Sequence, residues 1–141
     1  MPIRKANAEW KGNLAKGTGE VTSESGAVKG SYTSGSRFEN GEGTNPDELL
    51  GAALASCFSM ALSHGLAQAG HEPRSVRTEA SVHLDKGEDG FAVSRIDLEC
   101  EADVPGADDE TFQKHVREAK EGCPISQALA SIEIRAEARL V

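Results

Sequence analysis

Aromatic side chains are scarce in this sequence of 141 residues, at 4%, and basic residues are fewer than acidic ones. Fifteen Lys and Arg stand against 23 Asp and Glu, which gives a formal net charge of -8. A chain with this charge and no basic run is not expected to bind nucleic acid or an anionic membrane. With few rings, the core must consist mainly of smaller aliphatic side chains, so we expect association to add buried surface.

The sequence also lacks an apolar stretch behind its N-terminal charges and lacks a CxxC pair. We therefore expect neither a signal peptide nor a transmembrane start, and a cytoplasmic protein. The three cysteines, Cys57, Cys100 and Cys123, are an odd number that does not suit a secreted disulfide framework. In a reducing compartment, a cysteine pair is more often redox-active than structural. No histidine spacing resembles a zinc site.

The pattern of apolar residues predicts one α+β domain over residues 1–141, with mostly antiparallel sheet. Strands are predicted in several hairpins over residues 3–33, then over residues 78–85, 95–104 and 132–140. Helices are predicted over residues 45–70, over residues 108–120 and after Pro124. Residues 34–45 are rich in Gly, Ser and Asn without any period, which predicts a loop.

The helix over residues 45–70 has a clear start at Asn45-Pro46-Asp47-Glu48, with a capping Asn, a proline and two acids. From residue 49 to residue 62 nearly every side chain is apolar or small, which is typical of a helix buried on all sides. This apolar run is too short and too polar to predict a membrane span. One chain of this size can hardly cover such a helix, so we expect a homodimer.

The cysteines differ in their predicted surroundings. Cys57 lies within the buried helix, where a cysteine commonly fills core space. Cys123 precedes Pro124 and is expected to cap the following helix, where backbone N–H groups favour a thiolate. Cys100 falls on the inward face of a regular strand, and we expect it to serve packing alone.

Two charged residues near the start of this helix are further candidates for functional residues. Arg37 lies in the predicted loop, where a guanidinium could lower a thiol pKa or bind an oxygen anion, or could simply be solvated. Glu48 is three residues after Asn45, which is the position of a capping-box acid. That capping role alone would explain its presence there.

Two motifs carry a family resemblance. Residues 36–62 include Ser-Arg-Phe-Glu-Asn-Gly-Glu-Gly-Thr-Asn-Pro-Asp-Glu and Leu-Ala-Ser-Cys-Phe-Ser-Met-Ala-Leu, and residues 119–126 read Ala-Lys-Glu-Gly-Cys-Pro-Ile-Ser. With the alternating last strand, they make nearly the whole chain resemble the OsmC/Ohr family. The Arg-Phe-Glu form is more similar to the OsmC branch, the osmotically inducible proteins, than to the Ohr branch of organic hydroperoxide reductases.

The resemblance implies an OsmC-like fold, with a long buried central helix and an intertwined homodimer, and a peroxidase of oxidative and osmotic stress defence without metal or cofactor. Cys57 matches the peroxidatic cysteine and Cys123 the resolving one, while Arg37 and Glu48 match the pair that activates the first thiol. A dithiol, either a lipoylated protein or dihydrolipoamide, is implied as reductant. A Cys57 sulfenic acid and then a Cys57–Cys123 disulfide are expected.

The substrate preference, the identity of the attacking thiol and the function each have an alternative. The apolar neighbours Leu50, Leu54 and Phe58 favour organic hydroperoxides over hydrogen peroxide. The residues alone also allow Cys123 to be the attacking thiol, because its helix end lowers its pKa, although the resemblance favours Cys57. A redox-sensing or small-ligand-binding module without turnover is the alternative function.

Overall fold

The chain divides into two compact units, Met1–Leu49 and Leu50–Val141, in a computed structural model that describes all 141 residues. The first unit contains a three-stranded antiparallel sheet in the order β1-β2-β3. Its strands are β1 (Ala6–Lys11), β2 (Thr18–Ser23) and β3 (Lys29–Tyr32). This confirms the hairpins predicted over residues 3–33. The single domain over residues 1–141 stays a prediction.

A short helix, α1 (Ser34–Phe38), follows β3, so the predicted loop over residues 34–45 is wrong in its first part. The side chain of Thr33 accepts from the Ser36 N–H at 3.0 Å, and the Ser36 hydroxyl accepts from the Thr33 N–H at 2.8 Å. This reciprocal capping box satisfies two backbone donors and stabilises a helical turn among residues of low helix propensity. The irregular segment is therefore shorter, from residue 39 to residue 45.

Helix α2 (Pro46–Gln68) confirms the predicted long helix and begins in the first unit. The Asn45 side chain accepts from the Glu48 N–H at 2.7 Å, as expected of a cap. One face of the helix is fully buried, and this face consists of Leu54, Phe58, Leu62 and Leu66. The opposite face is exposed in the single chain, and its members are Ala52, Ser56, Met60 and His64. Burial on all sides is therefore not reached within one chain.

Helix α2 has 23 residues and a mean hydropathy of 1.5 over its most apolar window, which by length and composition would allow it to cross a membrane. The apolar run predicted from the sequence was shorter than this helix. Core helices of soluble proteins have the same composition. In this chain, the four leucine and phenylalanine side chains of the buried face pack into the hydrophobic core.

The second unit contains another three-stranded sheet, in the order β4-β5-β6. Its strands are β4 (Ser75–Gly87), β5 (Gly90–Asp103) and β6 (Glu133–Leu140). The pair β4–β5 is antiparallel and forms the predicted hairpin, whereas β5–β6 is parallel. The buried face of β5 has the predicted members Ile96, Leu98, Cys100 and Ala102, and Val104, the residue after the strand, is buried as predicted.

The other face of this sheet carries charged side chains, which include Arg77, Glu79, Glu99, Glu101, Glu137 and Arg139. Glu101 pairs with Arg139 across β5 and β6, and this pairing lowers the pKa of the Glu101 carboxyl. The sheet is thus apolar on one face only, as the alternating sequence predicts.

Two helices form the crossover between β5 and β6, namely α3 (Asp109–Gly122) and α4 (Pro124–Ala128). The N-terminal cap of helix α3 is Asp108, whose side chain accepts from the Thr111 N–H at 2.7 Å. Its buried stripe is the predicted one, with Phe112, Val116 and Ala119. These side chains join those of α2 and of the inner sheet face in one hydrophobic core.

Candidate functional site

Two cysteines of the second unit lie in direct contact. Cys57 is half-buried in the middle of α2, and Cys123, only 1% exposed, lies at the junction of α3 and α4. Both are free thiols, and a side-chain hydrogen bond joins them. The packing of α2 and α3 on one sheet face therefore brings together two cysteines that are 66 residues apart in sequence.

Cys123 is positioned by two helix ends at once. Its N–H donates to the Ala119 carbonyl at 3.1 Å, which ends α3, and Pro124 then begins α4. The Cys123 sulfur accepts from the Ser126 N–H at 3.3 Å and contacts the Ser126 hydroxyl at 3.2 Å. The predicted capping position of Cys123 is confirmed.

The surroundings change the two thiol pKa values in opposite directions. Burial raises the pKa of Cys57, and the hydrogen bond to Cys123 raises it further, against a smaller effect of the Ile125 N–H. Burial also raises the pKa of Cys123, but hydrogen bonds from Ser126, Cys57 and the Ile125 N–H outweigh it. The pKa of Cys123 is therefore lowered. No positive charge contributes to either shift.

Cys100 lies apart from this contact. It is buried on the inner face of β5, where its cross-strand neighbour is Thr78 on β4. Burial raises the pKa of the Cys100 thiol, against the effect of a hydrogen bond from Thr78. Nothing around this thiol activates it, in line with the packing role expected from the sequence.

Arg37 pairs with Asp47 in the first unit, and not with Glu48 as the resemblance implied. The Arg37 Nε donates to Asp47 Oδ2 at 3.1 Å and the Nη2 donates to Oδ1 at 3.4 Å. The Asp47 side chain is only 12% exposed, against 36% for Arg37. Glu48 is exposed and accepts from the Thr44 hydroxyl at 2.8 Å, so its carboxylate neither meets Arg37 nor closes a capping box.

The chain between α1 and α2 explains this choice of carboxylate. The Ser36 hydroxyl donates to the Thr44 carbonyl at 2.7 Å, and the Asn45 amide donates to the Ser36 carbonyl at 3.0 Å. These bonds fix the end of α1 against the start of α2. Asp47 then lies beside Arg37, while the next residue along the helix faces Thr44 and solvent.

Sequence reasoning missed Asp47 and Ser126. Asp47 was predicted only as an acid in the first helical turn. The capping-box spacing selects the third residue after Asn45, which is Glu48, and so gives Asp47 no role. Ser126 stands three residues after the helix cap Cys123, the position of a capping-box partner, and that spacing was the available signal.

A cavity of about 450 Å³ lies within the first unit beside Arg37. Its apolar lining includes Trp10, Leu14, Tyr32 and Phe38. The apolar residues expected around the thiol behave differently, because Leu54 and Phe58 have no exposed surface and face the core. The structure contains no group of three or more His, Cys, Asp or Glu side chains arranged to bind a metal ion.

Comparison with known sequences gives one family. The sequence profile of the OsmC-like proteins matches residues 39–137. Peroxiredoxin OsmC of Escherichia coli (strain K12) is 49% identical over 127 residues, which cover 89% of this chain and 89% of that protein. Organic hydroperoxide resistance protein OhrB of Bacillus subtilis (strain 168) is 28% identical over 140 residues and covers 97% of this chain and 98% of its own length.

Solved structures confirm the α+β fold. The crystal structure of Bacillus subtilis OhrB superposes with a TM-score of 0.72, at 28% identity, over 96% of this chain and 98% of that one. An OsmC-like protein of unknown function from Vibrio cholerae O1 has a TM-score of 0.79 at 18% identity, over 99% of this chain and 100% of that one. The second likeness concerns the fold alone.

The contact between the two sulfurs predicts where oxidation forms a disulfide. One equivalent of hydrogen peroxide should link Cys57 to Cys123, because these thiols already share a hydrogen bond, and should leave Cys100 free. Peptide mass mapping of the alkylated, digested protein measures this. A disulfide that contains Cys100 would contradict the assignment.

Proposed function

Because this chain belongs to the OsmC-like family, we propose that it is a cysteine-based peroxidase that reduces organic hydroperoxides to alcohols. The observation that carries this proposal is the contact between two free thiols of opposite pKa shift, Cys57 and Cys123. Its relatives named peroxiredoxin and organic hydroperoxide resistance protein support the same activity. A role in defence against oxidative and osmotic stress belongs to the same proposal.

Cys57 is the thiol that attacks the peroxide. It is half-buried, whereas Cys123 is almost completely enclosed, so a small peroxide reaches the Cys57 sulfur more easily. The Cys57 thiolate attacks the outer peroxide oxygen, the O–O bond breaks, and the alkoxide leaves as the alcohol after it takes a proton. Cys57 is thereby oxidised to a sulfenic acid, which the Cys123 thiol converts to a disulfide with release of water.

Cys57 needs a cation for this step. Burial raises its pKa, and no charged group of the second unit counteracts this effect. We assign the cation to Arg37, on the basis of the family resemblance and of its salt bridge to Asp47. Asp47 binds the guanidinium through two of its nitrogen atoms, which fixes its direction and leaves further N–H donors for an anion.

The proposed substrate class is supported by the relatives that are named organic hydroperoxide resistance protein. Hydrogen peroxide is expected to be the weaker substrate. A dithiol such as dihydrolipoamide or a lipoylated protein would restore both cysteines.

The reverse assignment of the thiols is a second candidate. The lowered pKa of Cys123 favours it as the attacking thiolate at neutral pH. The enclosure of Cys123 favours Cys57 instead as the attacking thiol, because a residue that is 1% exposed leaves little room for a peroxide at its sulfur. A redox sensor without turnover uses the same two thiols and differs in that it is oxidised only once.

The exposed face of α2 supports a homodimer. Met60 is 74% exposed near the centre of a helix whose most apolar window has a mean hydropathy of 1.5. Two other members of this face, Ala52 and Ser56, are small and allow a second copy of the same face to approach closely under a two-fold axis. Association would then complete the burial of α2 that the sequence predicts.

Repeated turnover distinguishes a peroxidase from a redox sensor, and activity measurements on the two cysteine variants show which thiol attacks the peroxide. Catalytic amounts of the protein should consume tert-butyl hydroperoxide repeatedly with dihydrolipoamide present. Cys57→Ser should abolish this activity, whereas Cys123→Ser should retain the first step and accumulate a Cys57 sulfenic acid that dimedone traps. Full activity of Cys57→Ser, or a single turnover in the wild type, would contradict the proposal.

The two neighbouring acids of α2 provide a matched test of the Arg37 pair. Arg37→Ala should slow peroxide reduction about tenfold to a hundredfold, because an anion-stabilising donor is lost. Asp47→Asn should slow it about three- to tenfold, because the amide cannot bind both guanidinium nitrogens. Glu48→Gln removes the same charge from the same helical turn and should stay within about twofold. A larger effect of Glu48→Gln than of Asp47→Asn would restore Glu48 to the site.

Sedimentation tests the homodimer. The wild-type protein at micromolar concentration should sediment at twice the mass of one chain, and its unfolding midpoint should rise with protein concentration. Met60→Glu should lower the dimer fraction, because it buries a charge at the predicted interface. The control is Val141→Glu, which places the same charge on another exposed apolar position. A folded, active monomer would rule the homodimer out.

A further inference from the structure

Ser126 is a buried hydroxyl whose hydrogen-bonding partner is a sulfur atom. The residue is 6% exposed and lies at the third position of α4. Its hydroxyl contacts the Cys123 sulfur at 3.2 Å, and its N–H donates to the same sulfur at 3.3 Å. The hydroxyl and the N–H of Ser126 are therefore both directed at one thiol.

The same helical position is used differently in α1, where Ser36 follows the cap Thr33. The Ser36 hydroxyl accepts from the Thr33 N–H at 2.8 Å and so completes a capping box. In α4 the cap N–H, that of Cys123, is already bound to the Ala119 carbonyl at 3.1 Å. The Ser126 hydroxyl is therefore not needed as a backbone cap, and it binds the side chain of the cap instead.

We propose that Ser126 is a positioning residue for the resolving step, in which its hydroxyl and N–H hold the Cys123 sulfur toward Cys57 and stabilise it as a thiolate. This inference rests on the proposed function of the two cysteines. It adds a role for a residue that neither contacts the peroxide nor exchanges electrons.

The chemistry of the resolving step needs such a donor. The Cys123 thiolate attacks the sulfur of the Cys57 sulfenic acid, so an S–S bond forms and an S–O bond breaks. The hydroxide takes a proton and leaves as water. Cys123 supplies the electron pair, and the peroxide has already supplied the oxidising equivalents. The rate follows the thiolate fraction of Cys123, which a buried hydroxyl donor increases.

Reduction of the disulfide uses the same donor in the opposite direction. An external thiolate attacks one sulfur of the disulfide and the other sulfur leaves as a thiolate. Cys57 is the more accessible sulfur, so Cys123 is the leaving group. A leaving thiolate that Ser126 stabilises departs faster, and the mixed disulfide then forms on Cys57. The lowered pKa of Cys123, to which Ser126 contributes against burial, agrees with this direction.

The experiment measures three rates separately in the wild type and in Ser126→Ala, which removes the hydroxyl but keeps the N–H. The rates are oxidation of Cys57 by tert-butyl hydroperoxide, formation of the disulfide in a single turnover, and reduction of the disulfide by dithiothreitol across pH. The first rate should be unchanged. The second and third should fall about tenfold, because a hydrogen bond to a charged sulfur is lost. The pH profile of disulfide formation should move to higher pH, since the pKa of Cys123 rises.

Two further variants test whether the slower rates of Ser126→Ala come from the lost hydroxyl or from a general structural change. Ser126→Thr retains the hydroxyl and should restore most of both rates. Ser131→Ala removes an exposed hydroxyl from the turn after α4 and should change nothing. Equal resolving rates in the wild type and Ser126→Ala, or an equal loss in Cys57 oxidation, would overturn the role of Ser126. A wild type that forms no Cys57–Cys123 disulfide would instead overturn the proposed function.

Discussion

The parallel pairing of β5 and β6 is the constraint on which the site depends. Parallel neighbours cannot be joined by a tight turn, so the chain must cross over one face of the sheet before it returns. Helices α3 and α4 form this crossover, and the apolar stripe of α3 packs with the buried face of α2 in one core. The junction of α3 and α4 thereby comes to the middle of α2. Cys123 lies at that junction and Cys57 at that point of α2.

The same packing gives the two thiols different electrostatic surroundings. A cysteine within a helix gains nothing from the N–H groups of its own helix, because each nearby one is bound within that helix. Burial therefore raises the pKa of Cys57, the Ile125 N–H of α4 offsets this only in part, and further stabilisation of the thiolate must come from a side chain elsewhere. Cys123 stands between two helices, where the N–H groups after Pro124 are free to reach its sulfur. The two sulfurs thus need different support, and the Arg37–Asp47 pair and Ser126 are the residues we assign to these two needs.

Most elements of the fold follow from the sequence alone. The start of α2, the inner face of β5, the stripe of α3 and the cap at Cys123 were all predicted, because each depends on local spacing and known capping preferences. The helix α1 was missed because its stability comes from the capping box of Thr33 and Ser36, not from an apolar period.

The errors at the site have a different origin. The choice between Asp47 and Glu48 depends on how residues 39–45 connect α1 to α2, and the three hydrogen bonds that decide it cannot be read from spacing. The complete burial of Leu54 and Phe58 was also not evident from the sequence, because a helix with no polar face does not reveal which side faces the core. Packing alone decides that orientation.

The long sequence separation of the two touching thiols also links the redox state to the folding equilibrium. A disulfide between Cys57 and Cys123 would close a loop of nearly half the chain, 66 residues from end to end. Such a loop removes conformational freedom from the unfolded ensemble and, in the chain-entropy description, destabilises that ensemble by about 4 kcal/mol. The oxidised form would then be harder to unfold than the reduced form.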